Sequence, residues 1–113
     1  MVKVYGIKNC DTVKKAMKWL AAQGLDPQLH DYRTDGLDPV WLAEMADKLG
    51  WENLVNKRST TWRGLADEVK NHLTKERALE VLTEQPTLIK RPIVIKNDQV
   101  LLGFNEAEYQ TLR

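Results

Sequence analysis

The chain holds one cysteine, one phenylalanine and two histidines among 113 residues. A single thiol excludes an internal disulfide and with it any intramolecular dithiol couple. One cysteine together with the distant His30 and His72 gives no metal-ligand spacing, so no metal site is expected. No apolar run approaches the roughly 20 residues of a membrane span, and no signal-peptide pattern opens the chain. Neither export nor a membrane is therefore expected, and the unpaired thiol fits a reducing, cytoplasmic compartment. Seventeen basic and sixteen acidic residues leave a net charge of +1. That balance gives the bulk surface no reason to hold nucleic acid or anionic lipid directly. Repeats, low-complexity tracts and linkers are also missing. A single domain over residues 1–113 is expected, large enough to bury a core unaided.

What is present is a clear alternation of strand and helix signals. Met1 to Tyr5 reads as a strand with Val2 and Val4 on one face and Lys3 on the other. Gly6 to Asn9 is a loop. From Asp11 to Gln23, Val13, Ala16, Met17 and Leu20 recur at helical spacing, with Lys14, Lys15 and Lys18 outside the stripe, and Gly24 stops the helix. Gln28 to Arg33 alternates as a short strand that carries His30 on a partly exposed face. Strand, helix and strand in so short a span imply a parallel βαβ unit.

Residues from about 38 to 84 read as a helical insertion. Asp38-Pro39 is a cap followed by proline at the first helical position, opening a helix from Val40 to Leu49. Thr60 or Thr61 can cap a short helix through Leu65 and Val69, and Thr74 caps another with Ala78, Leu79, Val81 and Leu82 inward. Trp41, Trp51 and Trp62 in this block, and Trp19 before it, suit packing better than a stacking platform. Beyond it, Ile93-Val94-Ile95 and Val100-Leu101-Leu102 form a hairpin around a turn at Lys96 to Gln99. Asn105 with Glu108 starts a last helix reaching Leu112. The order βαβ, helices, ββα is that of one α/β sheet domain.

The chemistry centres on Cys10, at the hand-over from strand to helix N-terminus. A lone cysteine is commonly just a small buried hydrophobe. This one lies where free backbone N–H groups and the helix dipole favour an anion, which makes it a candidate reactive thiolate. An ordinary thiol titrates near pH 8.5, and holding it mostly as thiolate at pH 7 takes about 2.7 kcal/mol. A helix N-terminus supplies about 0.3–1 kcal/mol, at best about 2. Further help is required: Lys8 lies two residues away, Thr12 offers a hydroxyl, and Lys90-Arg91-Pro92 forms a second basic cluster. Asn56 to Arg63 is basic and hydroxyl-rich, so it reads either as an anion contact or as a solvated loop with a helix cap. Without a second thiol in the chain, any mixed disulfide on Cys10 must be resolved from outside, by glutathione, a redoxin or a partner protein.

Three segments in order carry a family resemblance. Residues 4–16, Val4-Tyr5-Gly6-Ile7-Lys8-Asn9-Cys10-Asp11-Thr12 and onward, resemble the active-site segment of the arsenate reductase (ArsC)/Spx family in its YffB-type branch. Asn56 to Trp62 and Arg91 to Ile95 resemble its other two signatures, and Gly103-Phe104 before the last helix fits as well. The resemblance spans essentially the whole chain. It implies a thioredoxin-like (glutaredoxin-like) fold with a four-stranded mixed sheet, a helical insertion and a cis Pro92 facing the cysteine.

It also implies a monothiol, glutathione-dependent reductase with no bound cofactor and glutathione as co-substrate, served by glutaredoxin. Cys10 is then the nucleophile and Arg91 its catalytic partner, with Lys8 and Thr12 stabilising the thiolate. Lys8, Asn9, Arg58, Arg91 and Pro92 are the contacts for glutathione or substrate. The resemblance carries two alternatives. One is arsenate reduction, but Asn56 and Gly103 stand where the family places oxyanion-binding arginines, and Gly6 where it places a helper histidine, which weakens arsenate capture. The other is an Spx-like regulator that binds RNA polymerase; Val13, three residues after Cys10, excludes its Cys-x-x-Cys switch.

Overall fold

A computed structural model of the chain describes residues 2–112. Two compact units emerge: the residues up to Gly36 together with those from Arg91 onward, and the helical stretch Leu37–Lys90 between them.

The first unit is built on a four-stranded sheet of order β2-β1-β3-β4, from β1 (Val2–Gly6), β2 (Pro27–Asp31), β3 (Ile93–Lys96) and β4 (Gln99–Leu102). Met1, where the first strand was expected to begin, lies outside the described residues. Parallel pairing sets Val2 opposite Pro27 and Val4 opposite Leu29, and antiparallel pairing sets Val4 opposite Val94. This mixed sheet with its βαβ and ββα halves is a thioredoxin-like fold. Helix α1 (Asp11–Ala22) lays Val13, Ala16 and Leu20 against Val2, Val4 and Val94, where all six are buried. Burying each of the larger side chains contributes about 1.5–3 kcal/mol, which fixes the helix and its first residues relative to the sheet. Trp19 and Phe104 meet Tyr109 edge-on at 5.7 and 5.2 Å between ring centroids, closing the same core.

Three local expectations shift. The second strand stops at Asp31 instead of Arg33, because the Asp31 carboxylate accepts the Arg33 N–H at 2.7 Å and turns the chain. The hairpin turn shortens to Asn97-Asp98, with Asn97 at φ +55, so Lys96 and Gln99 pair across the ladder. The last helix ends at Tyr109, before Leu112, with Asn105 Oδ1 accepting the Glu108 N–H at 3.1 Å.

In the second unit, α2 (Pro39–Leu49), α3 (Trp51–Leu54), α4 (Thr60–Arg63), α5 (Asp67–Asn71) and α6 (Lys75–Glu84) surround Leu42, Leu54, Leu82, Leu88 and Ile89, all buried. The cap of α4 is Ser59, whose Oγ accepts the Trp62 N–H at 3.1 Å, and not Thr60 or Thr61. Its chain also breaks after Arg63, so the expected helix through Val69 is two short ones. Thr74 caps α6 as expected, accepting the Arg77 N–H. Two lysines approach the Trp62 ring, with Lys57 Nζ 5.6 Å and Lys70 Nζ 5.8 Å from its centroid. Among the described residues, no helix is long and apolar enough to cross a membrane.

Candidate functional site

Cys10 is the N-cap residue of α1, in extended backbone conformation. Its N–H bonds back to the Ile7 carbonyl at 3.2 Å, and its carbonyl accepts the Lys14 N–H, the first helical bond, at 3.0 Å. The thiol is half-buried.

Burial pushes the thiol toward its neutral form, but four opposing influences outweigh it and hold the pKa below the ordinary value. They are the backbone N–H of Val13, a hydrogen bond from the Arg91 guanidinium, the charge of that guanidinium, and the backbone N–H of Thr12. The neutral side chain makes no capping hydrogen bond of good geometry, so these donors act chiefly on the charged sulfur.

Thr12 acts through its backbone N–H rather than its hydroxyl, and Lys8 is not among the groups that lower the thiol. Lys8 instead serves Asp31: its backbone N–H donates to Asp31 Oδ2 at 3.0 Å, and its charge favours that carboxylate. Asp31 is only 4% exposed. Burial alone would raise its pKa, yet the N–H groups of Lys8, Arg33 and Thr34 and the Lys8 charge bring it below the usual carboxylate value. A buried carboxylate thus pins the loop that leads into Cys10. Nothing in the sequence alone singles out Asp31 as a functional residue. The one available signal is an aspartate at the end of an alternating segment with Asp35 four residues on, whose own carboxylate accepts the Asp31 N–H.

Arg91 precedes Pro92 across a cis peptide bond. Pro92 is buried, and its carbonyl accepts the Gly103 N–H at 2.8 Å. The Arg91 stem runs past Gly6: a Cβ placed on that glycine would lie 3.7 and 3.8 Å from Arg91 Cβ and Cγ. It would lie only 2.8 Å from Val13 Cγ2, closer than real contacts allow. The space a side chain would need at position 6 is therefore filled by Val13. Gly103, the other position where the resemblance led to an arginine, has φ +80, a conformation that suits glycine and strains other residues. Gly6→Ala is expected to destabilise the fold by about 1–3 kcal/mol through this overpacking. Urea unfolding checks it, and Gly6→Ala combined with Val13→Ala should recover part of the loss.

Around the same end of the sheet, the Tyr5 and His30 rings lie 5.1 Å apart, and His30 meets Tyr32 edge-on at 6.3 Å. His30 Nε2 donates to the Gly36 carbonyl at 2.8 Å. Burial and then Tyr5 push the Tyr32 phenol up, while Arg91 pulls it back, so the guanidinium acts on both groups. Lys8 and Asn9 are exposed in the loop before Cys10. Arg58 belongs to the helical unit, in a turn where its N–H donates to Asn56 Oδ1 at 3.1 Å. The structure thus brings Arg91, Thr12 and Val13 to Cys10 and assigns Lys8 to Asp31. Val13, the first of the favourable influences, went unseen because a backbone donor leaves no mark on side-chain chemistry. Among the described residues, no cluster of His, Cys, Asp and Glu is placed to hold a metal ion.

A thioredoxin-like sheet that presents one polarised cysteine at the start of its first helix, with an arginine before a cis-proline beside it, defines a single-thiol member of the thioredoxin-like proteins. The ArsC family profile matches residues 5–112, and the chain belongs to that family. An "uncharacterized protein" of Haemophilus influenzae is 61% identical over 110 residues, covering 97% of this chain and 96% of that one. The global transcriptional regulator Spx 1 of Lactococcus lactis is 31% identical over 110 residues, covering 96% and 85%. Among solved structures, the protein named YFFB superposes with a TM-score of 0.93 at 35% identity, covering 99% and 98% of the two chains.

Proposed function

We propose that the protein is a monothiol, glutathione-dependent thiol–disulfide reductase of the cytoplasm. The observation that carries this reading is the Arg91 guanidinium donating to Cys10 at the helix N-terminus, an arrangement that favours thiolate over thiol. The Cys10 thiolate attacks the glutathionyl sulfur of a mixed disulfide G–S–S–R. A new S–S bond forms between Cys10 and glutathione, and R–S⁻ leaves and takes a proton from water. A second glutathione, as thiolate, then attacks the glutathionyl sulfur on Cys10, forming oxidised glutathione and returning the Cys10 thiolate. Net, one glutathione thiol reduces one mixed disulfide, and no second thiol of this chain takes part. In this reading Lys8, Asn9 and Arg58 offer charge and hydrogen bonds to the glutathione carboxylates, Pro92 shapes the groove, and glutaredoxin is a candidate partner.

Mass spectrometry after incubation with oxidised glutathione tests the proposal. One glutathionyl group on Cys10, absent from Cys10→Ser, is the expected result, and an unmodified Cys10 overturns it. Turnover with glutathione and glutaredoxin, run in parallel on arsenate and on a glutathionylated peptide, is expected to favour the peptide. Among the described residues, Arg91 alone supplies a side-chain cation to the sulfur, with Gly6 and Gly103 contributing none, and a tetrahedral oxyanion requires more.

The likeness to L. lactis Spx 1 supports a second reading, a regulatory module that contacts a protein partner such as RNA polymerase. Under it, Cys10→Ser would leave the cellular phenotype intact while surface substitutions abolish it.

A further inference from the structure

A groove of about 760 Å³ runs between α1 and β2, in the unit that holds Cys10. Val13 is buried, and Met17 and Leu29 are half-buried along it. Three cations, Lys8, Lys14 and Lys18, also line it, with Asp26 as the only acid among the lining residues. A chain of net charge +1 thus gathers a local excess of two positive charges along an apolar trough.

Helix stability does not account for these lysines. Lys14 and Lys18 stand four residues apart, a like-charge spacing that costs a few tenths of a kcal/mol. The helix dipole favours cations at the C-terminal end, yet the last turn of α1 carries none. Neither lysine forms an ion pair among the described residues. The strand beside them is equally open. Among the described residues, β2 has a strand partner on one side only, and Pro27 and Leu29 lie on the sheet face that α1 covers.

We infer that this groove docks an extended, acidic polypeptide segment of a partner protein. Apolar residues of the segment would contact Met17 and Leu29, and its carboxylates would contact Lys8, Lys14 and Lys18. A second copy of this chain fits poorly, because a twofold contact through the groove sets lysines against lysines. A membrane surface fits poorly as well, since lipid engages a protruding apolar face and this one is concave. The inference shares Lys8 with the glutathione reading but uses no chemistry of Cys10, and its test rests on Lys14 and Lys18, which that reading does not use.

The test uses the full ¹⁵N-labelled chain and an acetylated decapeptide alternating glutamate and leucine, with a twin that carries lysine for glutamate. The expected result is saturable amide shifts confined to the Lys14, Met17, Lys18 and Leu29 region with the acidic peptide and absent with its twin. Lys14→Glu combined with Lys18→Glu should weaken binding at least tenfold. Both positions are exposed, so thermal unfolding and Cys10 glutathionylation should be unchanged. Cys10→Ser should bind the acidic peptide as well as the parent does, which separates failure of this inference from failure of the reductase reading. Absent or unsaturable shifts, or an equal response to the basic twin, overturn the inference. So do concentration-dependent shifts at these residues without peptide, which would mark a second copy as occupant. Binding to phosphatidylserine vesicles in place of the peptide overturns it too.

Discussion

Replacing Arg91 by methionine is expected to slow alkylation of Cys10 at pH 7 roughly three- to tenfold and to speed it at high pH. The substitution keeps an unbranched stem where the arginine passes Gly6, and removes only the guanidinium. A hydrogen bond to a charged group is worth about 1.5–3 kcal/mol, so the equilibrium between thiol and thiolate shifts toward the thiol roughly ten- to hundredfold. A more basic thiolate is intrinsically more nucleophilic, which returns part of the lost rate and makes the two pH–rate curves cross. That crossing is the diagnostic. A variant that merely loosens the fold exposes the thiol and accelerates alkylation at every pH. Curves that never cross would show that Arg91 is not what holds the thiol down.

The second large effect concerns Asp31. Asp31→Asn keeps the size of the side chain but gives up its charge and one of its two acceptor oxygens, although the N–H groups of Lys8, Arg33 and Thr34 all act on the carboxylate. A donor left unsatisfied in a buried position costs about 1–3 kcal/mol, and a loss of about that size is expected in urea unfolding at pH 7. The sign with pH follows from linkage. The folded pKa of Asp31 is depressed, so its contribution is fully present above the unfolded carboxylate value, near 3.9, and is lost as pH falls through the folded value. The stability gap between parent and Asp31→Asn should therefore be constant from about pH 7 to 5 and close below about pH 4. A gap that persists undiminished in strong acid would mean that the residue acts through packing alone.

Much of this architecture is readable from periodicity. The stripe Val13, Ala16, Leu20 announces α1, and alternation at Val2 and Val4 announces β1, because burial of one face imposes those periods wherever the fold places them. The position of Cys10 between them follows at once. Where several hydroxyls compete the reading fails, as at Ser59, Thr60 and Thr61: each can cap, and tertiary packing decides among them. Asp31 was illegible for a related reason. An aspartate in an alternating run looks like the polar face of a strand until the loop carrying the Lys8 N–H is folded against it. Lys8 misled in turn, since proximity to Cys10 along the chain does not say which anion its charge serves. Arg91 could be named as a basic residue beside a proline, but only the resemblance suggested that it reaches Cys10.

That partnership joins the two ends of the chain. Arg91 is the residue that follows the entire helical unit Leu37–Lys90, while Cys10 lies in the opening strand–helix turn. A ribosome-bound chain that has not yet delivered β3 holds a cysteine without its arginine, and so without the guanidinium's share of the thiolate stabilisation. All four favourable influences act together only in the completed sheet. The acidity of the thiol therefore reports whether the strand that follows the helical unit has joined the sheet.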